Sequence, residues 1–152
     1  MTEYQANLID STSTKVPIIL DKPDDWWTWI GYIESIAKKW NIWKYLDPED
    51  EMNQDDEPKE PVKPVPAKQY GSMNLMEQFD WTQTRKDYKD ARHLYEKKSA
   101  GMMNIWNTIQ STVSLKHWHI LKDKKLSERK CLVKLKKKLK PSQQSRIASL
   151  KL

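Results

Sequence analysis

The 152-residue sequence contains one cysteine, three glycines and one phenylalanine, and each scarcity removes a class of protein. Cys131 alone cannot close an internal disulfide, so the chain suits a reducing compartment better than a disulfide-stapled scaffold. Three glycines are too few for a phosphate-cradling glycine loop or a turn-rich β fold. No apolar run approaches the roughly 18 residues of a membrane span, and the N-terminus lacks the basic-then-apolar order of a signal peptide. The expectation is a soluble, cytoplasmic protein without a membrane partner.

Tryptophan is abundant instead. Five of the eight tryptophans lie between Asp21 and Pro48, where Trp26, Trp29, Ile30, Ile33, Ala37 and Trp40 recur at steps of three and four. That spacing predicts a buried helix, begun by Pro23 and capped by Asp24 or Asp21. A fully buried tryptophan removes ~200 Å² from water, or roughly 5 kcal/mol as an upper bound, so this cluster should fix a core. Asn41 loosens the pattern, Ile42, Trp43 and Leu46 supply a second short apolar face, and Asp47-Pro48 ends it.

Residues 1–16 are polar and aperiodic and read as a flexible arm. Pro17-Ile18-Ile19-Leu20 reads as a short extended segment packed on the tryptophan face, with an edge strand as the alternative. Residues 47–60 carry eight acids against Lys59 alone, and Pro58, Pro61, Pro64 and Pro66 follow at near-triplet spacing. Residues 47–70 therefore read as an acidic, proline-rich linker of polyproline character inside a domain spanning 17–152. Its carboxylates lack the glycine and spacing of a calcium loop, and no metal is assigned to them.

From Ser72 the helical period returns. Met73, Met76 and Phe79 open it, and Tyr88, Ala91, Tyr95, Met102, Ile105, Ile109 and Val113 continue it, as two antiparallel helices or one long bent one. Gly101 marks the weak point, since a mid-helix glycine costs about 1 kcal/mol. Ser114 and Ser127 are candidate caps of two further helices, the second carrying Leu132, Leu135 and Leu139 up to Pro141. Leu126 and Cys131 can form a hydrophobic staple across its start. Ser142 can cap a last helix, cut short after Arg146, Ile147 and Leu150. The fold class is all-α, a small bundle of about five or six helices, with Trp26, Trp29, Ile33, Trp40, Trp43, Tyr88, Tyr95, Ile105, Ile109, Leu132, Leu135 and Leu139 as its core.

From Lys116 to Leu152 there are thirteen Lys or Arg and two acids, a net of plus eleven in a chain of net +6, so the remainder is net acidic. Such polarity lets one subunit meet another face to face, or lets the basic end meet nucleic acid. The candidate nucleic-acid contacts are Lys134, Lys136, Lys137, Lys138, Lys140 and Arg146. Five such contacts to single-stranded RNA would give a log affinity against log salt slope of roughly −3.5. A solvated lysine face on an amphipathic helix is the plainer alternative.

No catalytic pattern emerges. His117 and His119, two apart on a helix, point to nearly opposite sides and cannot share a metal; His93 lies in a charged helix. Cys131 stands at a core-like position, where a buried thiol is commoner than a nucleophile. No catalytic residue, cofactor, metal or small-molecule substrate is expected.

In order, the tryptophan-rich first helix, the run Ile42-Trp43-Lys44-Tyr45-Leu46-Asp47-Pro48 and the proline-spaced segment resemble the N-terminal Gag region of copia-type LTR retrotransposons, the fungal ones especially. Tyr88, Tyr95, Ile105, Ile109, Ser111 and Val113 continue the resemblance, as do Leu132, Leu135, Lys137, Leu139 and Pro141. The resemblance implies a structural, non-enzymatic capsid-type protein that self-assembles into virus-like particles and contacts element RNA through its basic C-terminal part. It lacks a zinc knuckle, and its short last helix leads to the expectation of a truncated copy. The competing class is a host nucleic-acid-binding or adaptor module that docks through the lysine-rich helix or the proline spacer.

Overall fold

The computed structural model describes residues 18–50, 52–53 and 55–140. It is helical, and among the described residues it holds four α-helices and no strand: α1 (Trp26–Lys39), α2 (Leu75–Thr112), α3 (Trp118–Leu121) and α4 (Glu128–Leu139). That corrects the expected five or six. One long α2 replaces a possible pair, and the turns at Pro23–Asp25, Trp43–Tyr45, Tyr70–Ser72 and Leu115–His117 are 3₁₀ rather than α. The expected arm at 1–16 and the short helix after Ser142 lie outside the described residues.

The entrance to α1 is held by a different carboxylate from those expected. Neither Asp21 nor Asp24 caps it; Asp25 reaches back, its Oδ2 accepting from the backbone N–H groups of Asp21 and Lys22, both at 3.1 Å. Pro23 starts the turn, where its missing N–H goes unneeded. At the far end Asn41 takes a left-handed conformation, φ 58°, which asparagine tolerates better than most residues. This lets the Asn41 N–H donate to Lys38 O and the Ile42 N–H to Ala37 O, two of the carbonyls a helix end leaves unpaired. Ile42 is thereby turned into the core.

Trp26, Trp29, Ile33 and Ala37 are buried, as their spacing predicts, and Ile30, Trp40 and Trp43 are partly buried against them. Leu20 is fully buried and extended. It bridges the exit of α2 in parallel, its N–H donating to Thr112 O at 2.7 Å while its carbonyl accepts from Ser114 N at 3.0 Å. Among the described residues no sheet develops beyond this one bridge. Trp29 Nε1 donates to Thr112 Oγ1 at 2.9 Å, so the first helix, the lead-in and the end of α2 meet at one point.

Only the last part of α2 enters this core. Its buried residues are Gly101, Met102, Ile105, Ile109 and Thr112, and every residue from Leu75 to Ala100 is at least partly exposed. Asn74 and Glu77 cap the outer end reciprocally, Asn74 Oδ1 accepting from Glu77 N at 2.8 Å and Glu77 Oε1 from Asn74 N at 3.2 Å. The expected core residues Tyr88 and Tyr95 are therefore only half-buried, and Met76 and Phe79 are exposed. The periodicity does correspond to a helix, but its apolar stripe faces something smaller than a core.

That something is the proline-rich segment. Arg92 Nη1 pairs with Glu60 at 3.0 Å, and Lys68 pairs with Glu77 at 2.7 Å, so the segment runs outward along α2, antiparallel to it, and turns back at Tyr70–Ser72. These ion pairs are eight residue steps apart along the spacer and fifteen along the helix. At about 3.1 Å per residue for polyproline and about 1.5 Å for α-helix, the two paths span about 25 and 22 Å, so their lengths match. The linker is a strap. The molecule is thus a globular head, closed by α3 and α4, with a strapped helical arm leaving it.

Candidate nucleic-acid interface

α4 begins where Ser127 accepts a hydrogen bond from Lys130 N at 3.2 Å, which is the cap its sequence suggests. Cys131, Leu132, Leu135 and Leu139 then face inward, with Leu126 packed beside them. The leucine spacing forces the intervening lysines outward, and Lys130, Lys134, Lys137 and Lys138 form one exposed face at i, i+4, i+7 and i+8. Clustering three lysines in the last turn also suits the helix dipole.

The six expected contact residues do not behave alike. Lys134, Lys137 and Lys138 are exposed, although Lys134 lies 4.0 Å from Asp123. Lys136 and Lys140 instead turn to Glu49 of the acidic segment, at 2.9 and 3.0 Å, and their side chains are only 20% and 30% exposed. The Lys136 hydrogen bond, helped by Lys140, holds the Glu49 carboxyl below the usual carboxylate range. Arg146 lies outside the described residues. Lys130 belongs to the face and was missed, though its place four residues before Lys134 would have revealed it.

Two further groups sit beside this face. Lys140 Nζ lies 4.9 Å from the centre of the Trp27 ring, which is 42% exposed and off the apolar stripe of α1. Arg129, whose side chain is only 7% exposed, donates to Asn53 O and lies 3.7 Å from Asp56, which also accepts from Ser127 Oγ at 2.8 Å. Acidic residues of the expected linker thus neutralise the inner edge of the basic helix. Charge remains where no acid reaches.

Between the acidic segment and the facing ends of α2 and α4 lies a groove of about 770 Å³, floored by Tyr95, Met102 and Trp106 and edged by Glu57 and Glu128. Burial, and then the Glu57 charge, push the Glu128 carboxyl up to about 7. Folded protein thus holds a proton that the unfolded chain loses near its ordinary value, so stability should fall as pH rises from about 4.5 through 7. Glu128→Gln removes that loss. Allowing for partial solvent exposure and a favourable helix N-terminus, about 1 kcal/mol is expected at pH 8, or a rise of roughly 3 °C in Tm, shrinking to nothing at pH 4.5. Thermal melts at both pH values check this; an equal shift at each would refute it.

The other candidate reactive side chains are Cys131 and the three histidines. Cys131 is buried, its thiol pushed up to about 11 by burial and by Glu128 and Asp123, which leaves little thiolate at neutral pH. His117 is buried with its Nε2–H donating to Asp21 O at 2.8 Å, whereas His93 and His119 are exposed. Among the described residues no three His, Cys, Asp or Glu side chains gather as a metal site, and no helix is long and apolar enough to cross a membrane. No family model, curated protein or solved structure matches this chain.

Proposed function

We propose that this is a structural protein of the copia-type Gag kind, self-associating through its strapped arm and touching RNA with the outer lysine face of α4. The observation that carries the reading is the arm itself. A 38-residue helix that gives only its last turns to the core ends in a cluster of uncovered apolar side chains: Leu75 is 85% exposed, Met76 69% and Phe79 68%. Groups of this kind at the tip of a projecting element suit contact with another copy. The head supplies rigidity, since Trp26 and Trp29 are buried at its centre, and the reaction chemistry of an enzyme has no part in the proposal.

Light scattering after size exclusion at rising concentration tests self-association. Growth in mass with concentration is expected, together with its loss in Met76→Glu/Phe79→Glu; a strict monomer at millimolar protein would end this reading. For RNA, the two lysines held by Glu49 are withdrawn from the count and Lys130 is added, which gives Lys130, Lys134, Lys137 and Lys138. The expected slope of log affinity against log salt through this face is then about −2.8, shallower than five contacts would give. The adaptor alternative is disfavoured in its proline-docking form, because a proline-binding domain would first have to peel the strap from α2. A neighbouring reading frame for protease, integrase and reverse transcriptase would favour the element.

A further inference from the structure

The strap does not seal against the arm along its whole length. Between them opens a cleft of about 470 Å³, walled by Pro64 on one side and by Trp81 and Tyr88 on the other. Both rings are half-buried, so each keeps surface that neither the strap nor the helix covers. Thr82 and four cations, Lys63, Arg85, Lys86 and Lys89, complete the lining, and none of its residues is acidic. We propose that this cleft is a binding site for single-stranded RNA, seating a base against Trp81 or Tyr88 and its flanking phosphates on Arg85, Lys89 and Lys63.

The helix explains the segregation. Arg85 and Lys89 follow Trp81 at i+4 and i+8 and share its face, and Tyr88 at i+7 lies beside them. Asp80, Asp87 and Asp90 fall roughly 100–180° away around the axis, so they do not cancel the positive charge. Asp87 is moreover engaged by Gln83 Nε2 at 2.9 Å, while Glu60 of the strap is held by Arg92 and Glu77, which shares the Trp81 face at i−4, is held by Lys68. Beside the α4 lysines the exposed ring, Trp27, already has Lys140 over it at 4.9 Å, and Lys136 and Lys140 are bound to Glu49. Cations alone would hold any polyanion. Flat aromatic walls among cations are what unpaired bases recognise and what a duplex, with its bases stacked internally, cannot use.

This site is separate from the α4 face and does not depend on self-association. The test is fluorescence anisotropy with a labelled oligouridine about twelve nucleotides long, at low and physiological salt, on the full chain. Wild-type protein should bind it, and Trp81→Ala and Arg85→Glu/Lys89→Glu should each weaken binding at least tenfold, while Trp81→Phe, which keeps a stacking ring, should weaken it much less. Lys124→Glu/Lys125→Glu, a charge reversal of equal size at exposed lysines outside both basic faces, should leave this binding intact, which separates the cleft from net charge. Circular dichroism and Tm establish that the variants fold; if Trp81→Ala does not, the double charge reversal still decides. Absence of oligouridine binding in the wild type would overturn the proposal. So would unchanged affinity in Arg85→Glu/Lys89→Glu, or equal displacement of the probe by duplex RNA, heparin or polyglutamate.

Discussion

Trp29→Ala is expected to destabilise the protein by about 4 kcal/mol or more, enough to leave much of the chain unfolded at 25 °C. The indole is fully buried, with its ring centre 5.8 Å from that of Trp26. Its N–H closes the hydrogen bond to Thr112 Oγ1, and that hydroxyl in turn donates to Thr108 O at 2.6 Å. Alanine therefore removes the filling of the core and a side-chain hydrogen bond between α1 and the end of α2, where Leu20 is also anchored. The void cannot collapse easily, because α1 is fixed at one end by the Asp25 cap and at the other by the Asn41 turn. Trp29→Phe separates the two effects. It retains most of the apolar volume and should cost about 2 kcal/mol, since the Thr112 hydroxyl keeps its own carbonyl acceptor. Urea unfolding followed by circular dichroism measures both. A Trp29→Ala midpoint close to that of the wild type would mean that the indole is not the keystone of the head.

Gly101→Ala should also destabilise, by about 2 kcal/mol, although helix propensity alone favours the alanine by about 1 kcal/mol. A Cβ built on Gly101 would lie 2.7 Å from Trp40 Cβ and 2.9 Å from Trp40 Cγ. Those atoms are the root of the side chain, fixed by the end of α1, and cannot swing aside as the tip of a lysine would. The helices must move apart or the tryptophan must leave its place, and either change loosens the packing of Met102 and Ile105. Gly31→Ala is the control. Its Cβ would meet nothing within 4 Å, so the same substitution there should be neutral or stabilising by up to about 1 kcal/mol. Chemical denaturation of the two variants side by side gives the comparison, and a Gly101→Ala protein as stable as Gly31→Ala would refute the close approach.

Gly101 also shows where reading the chain as a string reaches its end. A glycine in a helical pattern signals either a break or a close contact, and composition cannot choose between them. α2 runs through it without interruption because the neighbour that needs the space, Trp40, lies sixty-one positions earlier in the chain. Tyr88 and Tyr95 were misplaced for a related reason. Their seven-residue spacing specifies a common face but not its partner, and the partner is a polyproline strap rather than a helix. The lysines of α4 divide in the same way. Lys134, Lys137 and Lys138 could be placed outside from the positions of Leu132, Leu135 and Leu139, whereas the capture of Lys136 and Lys140 by Glu49 depends on residues nearly ninety positions away.

The sequence by itself determined whatever depends on neighbours within one or two turns: the helical periods, the buried indole face of α1, the Ser127 cap, the leucine face of α4, and the inability of the proline-rich stretch to join a helix. These follow from backbone sterics and side-chain spacing, which are local. Only the tertiary structure decided that the proline stretch would lie along α2, that Asp25 would close the first turn, that Glu49 would occupy two of the lysines, and that Trp81 and Tyr88 would line a cleft among cations. Those outcomes depend on which distant charges and surfaces meet once the core has formed, and spacing along the chain carries no record of them.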